Sequence, residues 1–274
     1  MADLNSAKLK LVRAAQHLDM LSGEIEAFLS REPYRAIPED QVKRLGELQY
    51  LLPYALSDAA KQSECIHRIY RASVVEAAPD EWGTLIGDFV HNLRSSLDHI
   101  VWQLASKPLG KGASFINEFP IYDEKVRYER EGIKKLRGVT NEAALTLIES
   151  LQPYPGRHGK WSFIQPLLML NRLSNWDKHR VLHIVGSTLT GWGGVAPAGE
   201  EPLIVSAELG PFVDQAIIGE FIMKPDVDVK HTMSFSVAFE KEGPGRGLPV
   251  LDSLPHLLTY MRTEVIPKFE VLFE

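Results

Sequence analysis

The 274 residues carry a formal charge of −6, with 45% hydrophobic and 24% charged residues. That balance supports an ordinary core and excludes a disordered chain or a general DNA-coating role, which needs a basic stripe or tail. With Cys65 as its single cysteine, the chain can form neither an intramolecular disulfide nor a cysteine-rich zinc site. The first residues lack a signal-peptide pattern and no apolar run approaches the roughly 20 residues of a spanning helix, so a cytoplasmic protein without membrane contact is expected.

Leu9, Leu11, Val12, Ala15, Leu18, Leu21, Ile25 and Phe28 recur mostly at three- and four-residue steps. They predict a helix over 5–32, with Asn5 or Ser6 as cap. Pro33, Pro38 and Pro53 break the period over 33–80, where 48–56 and 64–75 read as strands or short helices, a strand pair being the preferred reading. The strongest helix covers 81–106, with Ile86, Phe89, Val90, Leu93, Leu97, Ile100, Val101 and Leu104 on one side and Asp80 or Thr84 as cap. A loop over 107–123 leads to a charged helical stretch over 124–137. A helix over 140–151 follows, capped by Thr140 or Asn141 and stopped by Pro153. The next helix, 163–179, tolerates Pro166 only because it falls in the first turn.

From 181 the pattern changes. Residues 181–190 alternate, 191–194 (Gly-Trp-Gly-Gly) read as a loop, and 202–209, 216–223 and 229–240 read as strands. Met233, Phe235, Val237 and Phe239 keep a period of two. A turn over 243–247 precedes an amphipathic helix over 251–272, interrupted by Pro267. The expected architecture is a single α+β domain over 1–274. It has a helical bundle core over 1–180, an antiparallel β-sheet in the C-terminal half and a closing C-terminal helix.

Two polar runs stand out. Stepping about 100° per residue along the 81–106 helix places His91, Arg94, Asp98 and Trp102 on one face. Asp88, Asn92, Ser95 and His99 form a strip beside them. These are directional hydrogen-bonding types, not the Lys and Glu of a plain solvated surface. The second run, Asn175-Trp176-Asp177-Lys178-His179-Arg180, closes the helix before 181. Its basic residues suit a helix C-terminus. Alternatively Lys178, His179 and Arg180 form one wall of an anion site facing His91, Arg94 and His99, with Asn92, Ser95, Asp98, Asn175 and Asp177 contributing contacts. A purely structural use is also open, since Arg94 and Asp98 are spaced for a helical ion pair. Trp102, Trp161 and Trp176 read as packing residues, with base stacking as the sharper alternative. No HExxH spacing, phosphate loop, dinucleotide fingerprint or hydrolase elbow occurs, and no metal or cofactor is expected.

Arg94-Ser95-Ser96-Leu97-Asp98-His99, an arginine, four residues and a histidine on a helix, resembles the Arg-x(4–6)-His motif of the HEPN superfamily. These are small helical bundles found in prokaryotic toxin, defence and RNA-processing proteins. Ser95 fills the place where many HEPN families carry a polar residue. The longer string, Gly87-Asp88, His91-Asn92-Leu93-Arg94 and Leu97-Asp98-His99 with the later Asn-x-Asp-Lys-His-Arg, is similar to a group of uncharacterised bacterial and phage proteins. The HEPN resemblance implies metal-independent RNA cleavage by a homodimer, with Arg94 and His99 catalytic. The RNA 2′-hydroxyl attacks the neighbouring phosphate, His99 moves the proton and Arg94 stabilises the phosphate charge. Arg94 and His99 stand about 140° apart around one helix, which a two-fold axis would reconcile. The alternative is a noncatalytic protein that binds an anion, a nucleotide or a partner at the same residues.

Overall fold

The computed structural model describes residues 3–106, 109–154, 165–195, 203–207, 209–227 and 230–273. The elements are α1 (Asn5–Leu29), β1 (Tyr34–Arg44), a 3-10 turn (Leu45–Leu51), α2 (Asp58–Lys61), β2 (Glu64–Val74) and α3 (Glu81–Ala105). Then come α4 (Lys125–Arg127), a π turn (Tyr128–Gly132), α5 (Ile133–Lys135), α6 (Glu142–Ser150) and α7 (Pro166–Asp177). The C-terminal part holds β3 (Ile184–Val195), β4 (Leu203–Ala207), β5 (Gly210–Pro211), β6 (Ile217–Met223) and β7 (Lys230–Phe239). It closes with α8 (Val250–Tyr260), a second π turn (Met261–Val265) and α9 (Ile266–Glu270). The protein is therefore α+β, with antiparallel sheets and a C-terminal helix.

The helical core is organised by α1 and α3. Helix α1 buries Ala7, Leu11, Ala14, Leu18, Leu21, Ile25 and Phe28, a strict alternation of four- and three-residue steps that keeps one narrow seam facing a partner. Helix α3 answers with Ile86, Val90, Leu93, Leu97, Ile100 and Leu104 on the same steps. The two run antiparallel. Phe28 meets Trp82 edge-on at 5.2 Å and Trp82 Nε1 donates to Glu24 at 2.9 Å, while at the other end Ser6 shares a cavity with His99 and Trp102. Leu9 and Val12, expected inside, lie outside this seam and are exposed. The cap of α1 is also corrected. Neither Asn5 nor Ser6 serves; the Asp3 carboxylate accepts from the Asn5 N–H at 2.9 Å. Asp80 occupies the cap position of α3 without a side-chain cap bond. Asn141 caps α6 by accepting from Ala144 N, and Gln165 caps α7 by accepting from Leu168 N. Residues 163 and 164 of the expected helix, Trp161, and residues 202, 208 and 229 of the expected strands lie outside the described residues.

Two strand expectations are corrected. The partner of β2 is β1, paired from Tyr34↔Val74 to Arg44↔Glu64, and not the 48–56 stretch, part of which forms the 3-10 turn. Segment 34–44 has few apolar residues and a proline, so its period gives no strand signal. It is held as an edge strand, the place in a sheet where a proline such as Pro38 is tolerated, and by the cross-strand pairs Asp40–Arg68 (2.7 Å) and Glu39–Arg71 (3.1 Å). Residues 191–194 are strand, not loop, because β3 continues to Val195 against β7.

The four-stranded sheet has the order β1-β2-β6-β4 and the three-stranded sheet the order β5-β3-β7. The first sheet unites strands from both halves of the sequence. One apolar cluster runs from Leu4 to Phe269, so residue 180 is no structural seam. At the C-terminus a π turn stands between α8 and Pro267, which falls in the first turn of α9 where a missing N–H is tolerated. Among the described residues no helix is long and apolar enough to cross a membrane.

Candidate functional site

Directly opposite its buried seam, α3 carries a second stripe on three- and four-residue steps: Thr84, Asp88, His91, Ser95, Asp98 and Trp102. All are exposed or half-exposed, and from Thr84 to Trp102 the stripe runs about 27 Å. Other elements rise beside this stripe and divide its surroundings into three cavities.

The first cavity, about 550 Å³, lies between the N-terminal half of α3 and the exit of α7, with Asp88 and His91 on one side and Asp177, His179 and Arg180 on the other. Glycines permit this approach. A Cβ at Gly83 would lie 2.5 Å from the Leu182 carbonyl oxygen, and one at Gly87 would strike the Asp177 carboxylate. Burial raises the Asp177 carboxyl above its ordinary range. The charge of Asp88 adds to the rise and His91 opposes it. Arg180 stacks its guanidinium over Trp176 at 4.9 Å.

The second cavity, about 340 Å³, lies one turn further along α3. Five cationic side chains (Arg94, Arg127, Lys135, Arg172 and Lys178) line it against three carboxylates (Glu118, Asp123 and Glu131), with Asn171 and Asn175 also on its wall. Arg94 is largely buried. Its Nη2 donates to the Phe119 carbonyl at 2.6 Å and stands 3.2 Å from Asp98 Oδ1. Its Nη1 is buried without a hydrogen-bond partner among the described residues, an uncompensated donor of the kind that calls for an acceptor. Burial acts to raise the Glu118 carboxyl, but the Lys135 hydrogen bond (2.6 Å) and the charges of Lys135, Arg94 and Lys178 outweigh it and hold the group low. Arg94 and Lys178, far apart in sequence, thus act on one carboxylate.

The third cavity, about 440 Å³, is lined by Ser6, Asp98, His99, Trp102, Gln103 and Asn117. Burial lowers the His99 imidazole below 6.5, helped by Lys10 and opposed by Asp98. Asp98 is the divider between the second and third cavities. It accepts from the Phe119 N–H at 2.8 Å and pairs with Arg94. Burial raises its carboxyl, against the pull of Arg94 and the Phe119 bond.

The two polar runs therefore converge, though not as a single wall. Arg94 meets Asn175 and Lys178, whereas His91 meets Asp177, His179 and Arg180 across the other side of the α7 terminus. His99 opens elsewhere, so one copy of α3 does not bring Arg94 and His99 to a common cavity. Asn92 is buried and donates back to the Asp88 carbonyl at 2.8 Å; neither it nor Ser95 lines these three cavities.

Sequence reasoning did not single out Arg172, Asn171, Glu118, Arg127 or Lys135. The 171, 175, 178 steps along α7 carry a polar stripe that helical periodicity could have exposed. Residues 118–135 offer no such signal, because the 117–123 loop places Glu118 and leads into the short helical turns, α4 to α5, that carry Arg127 and Lys135. That loop is held by two amides. Asn117 accepts from Ser114 N and donates to the Lys135 and Arg137 carbonyls. Gln152 accepts from Tyr122 N and donates to the Pro120 and Ile148 carbonyls.

Comparison with protein-family models, with curated proteins and with solved structures finds no match for this chain. Among the described residues no group of three or more His, Cys, Asp or Glu side chains is placed to hold a metal ion.

Proposed function

We propose that this protein binds a phosphate-bearing ligand, a nucleotide or a single RNA strand, in the second cavity beside α3. The observation that carries the reading is the convergence of Arg94, Arg172 and Lys178 on one recess. A guanidinium matches phosphate oxygens through its planar fork. The recess concentrates positive potential in a chain whose net charge is negative. The test is fluorescence anisotropy with a labelled single-stranded RNA, beside calorimetry with ATP and with inorganic phosphate. Binding should weaken as salt rises. The double variant Arg172→Glu, Lys178→Glu should lose at least about tenfold in affinity, since two cations become two anions at a phosphate contact. Affinity unchanged in that variant, or no binding by any of the three probes at low salt, overturns the reading.

A second reading, metal-independent RNA cleavage, is favoured by His99. Its lowered imidazole is neutral near pH 7, which suits a base that takes the 2′-hydroxyl proton as that oxygen attacks the adjacent phosphate. The P–O2′ bond forms as the P–O5′ bond breaks, and the departing oxygen takes a proton from water, giving a 2′,3′-cyclic phosphate and a free 5′-hydroxyl. Arg94 and His99 open into different cavities, so this reading requires a second copy whose α3 lies across the first. Cleavage lost in His99→Ala, with sedimentation showing a dimer, would favour it. Intact RNA after incubation with wild-type dimer would remove it.

A further inference from the structure

The segment between β5 and β6 carries a feature unrelated to the polar cavities of α3. Here the chain leaves the three-stranded sheet and enters the four-stranded one. Gln215 takes a left-handed backbone (φ 64°), and the β2–β6 register shifts at Tyr70/Arg71, so that Ile218 is an extra residue on β6. A bulge of this kind bends a strand away from its neighbours and recurs next to functional sites. Between the splayed elements lies a cavity of about 450 Å³, within the range of small-molecule pockets.

The chemistry of this cavity is two-sided. Its floor is apolar, with Phe212 and Ile218 buried and Val185 beside them, and Ile217 stands exposed at the lip. Its rim is acidic. Glu240 and Glu242 are both exposed; among the described residues their carboxylates make no ion pair or hydrogen bond, and Lys241 is the one cation lining the cavity. An apolar body alone would leave these carboxylates unused, and an anionic amphiphile would meet repulsion at the mouth.

We infer that this cavity is a binding site for an amphiphilic cation, an apolar body with an amine or quaternary ammonium head held by Glu240 and Glu242. The test compares n-octylammonium, n-octanol and octanoate by calorimetry on the full chain at pH 7. Octylammonium should bind about tenfold more tightly than octanol, given two weak solvent-exposed charge contacts, and octanoate should bind least. The double variant Glu240→Gln, Glu242→Gln changes only exposed side chains. It should bring octylammonium to within about twofold of octanol, because the charge contacts are gone. Ala216→Phe, which places a ring in the cavity, should abolish binding of all three. If that variant fails to fold, the glutamine variant still decides. No saturable binding of octylammonium, equal affinity for octylammonium and octanoate, or a preference unchanged in the glutamine variant overturns the proposal.

Discussion

The two stripes of α3 keep the same spacing and obey different rules. On the buried side, residues 86, 90, 93, 97, 100 and 104 meet the seam of α1, and their contacts need only shape and apolar area. On the open side, Asp88, His91, Arg94, Asp98 and His99 take their surroundings from the α7 exit, the 117–123 loop and the start of α1. Burial is non-directional, so one helix's period specifies it. Hydrogen bonds and ion pairs are directional, so the same helix holds three unlike environments within about 27 Å.

That contrast can be broken at several points. Leu93→Ala should cost about 3 kcal/mol in urea unfolding, since it empties a fully buried site in the seam; a loss under about 1 kcal/mol would mean that the seam does not organise the core. Gly83→Ala should cost about 2 kcal/mol, because its methyl meets the Leu182 carbonyl oxygen, backbone that cannot rotate away. A neutral Gly83→Ala would show that the chain at Leu182 can yield at this contact. Arg94→Met should cost about 1.5 kcal/mol by leaving the Phe119 carbonyl without its side-chain donor and the Asp98 carboxylate without its ion-pair partner. Its cost should shrink at acid pH as Asp98 protonates, and a pH-independent cost would contradict the pairing.

The smallest effects are expected at His99 and Ser95. His99 has a folded-state affinity for protons below the unfolded one, so the unfolded chain binds more protons once pH falls under 6.5. Its contribution is intact above that pH and is lost as pH drops through the lowered value. His99→Gln should flatten this part of the stability-versus-pH curve without changing stability at pH 8. Ser95→Ala, which lines none of the three cavities, should change stability by less than about 0.5 kcal/mol; a larger effect would reveal a contact on the open stripe.

Much of the fold was legible because long amphipathic or alternating stretches declare themselves. Helices α1, α3 and α7 and strands β6 and β7 fall where their periods predict. The misses share a cause. Segment 34–44 is a strand by virtue of its neighbour, and residues 191–194 are strand because β7 extends beside them. Neither carries a period of its own. At the candidate site, Arg94, Asn175 and Lys178 were visible as residues, whereas Arg127, Lys135 and Glu118 were invisible until the loop after α3 was placed by Asn117 and Gln152.

What the amino-acid order determined by itself is the set of faces: which side of α1 and α3 is buried, and that a polar ribbon lies opposite on α3. Those follow from periodic apolar burial, which depends on local geometry alone. Tertiary structure alone decided that Lys178 joins Arg94, that His99 stands apart behind Asp98, and that the two sheets part to leave a cavity with an apolar floor and an acidic rim. Each of those depends on the distance between segments remote in the chain, and no local pattern encodes that distance.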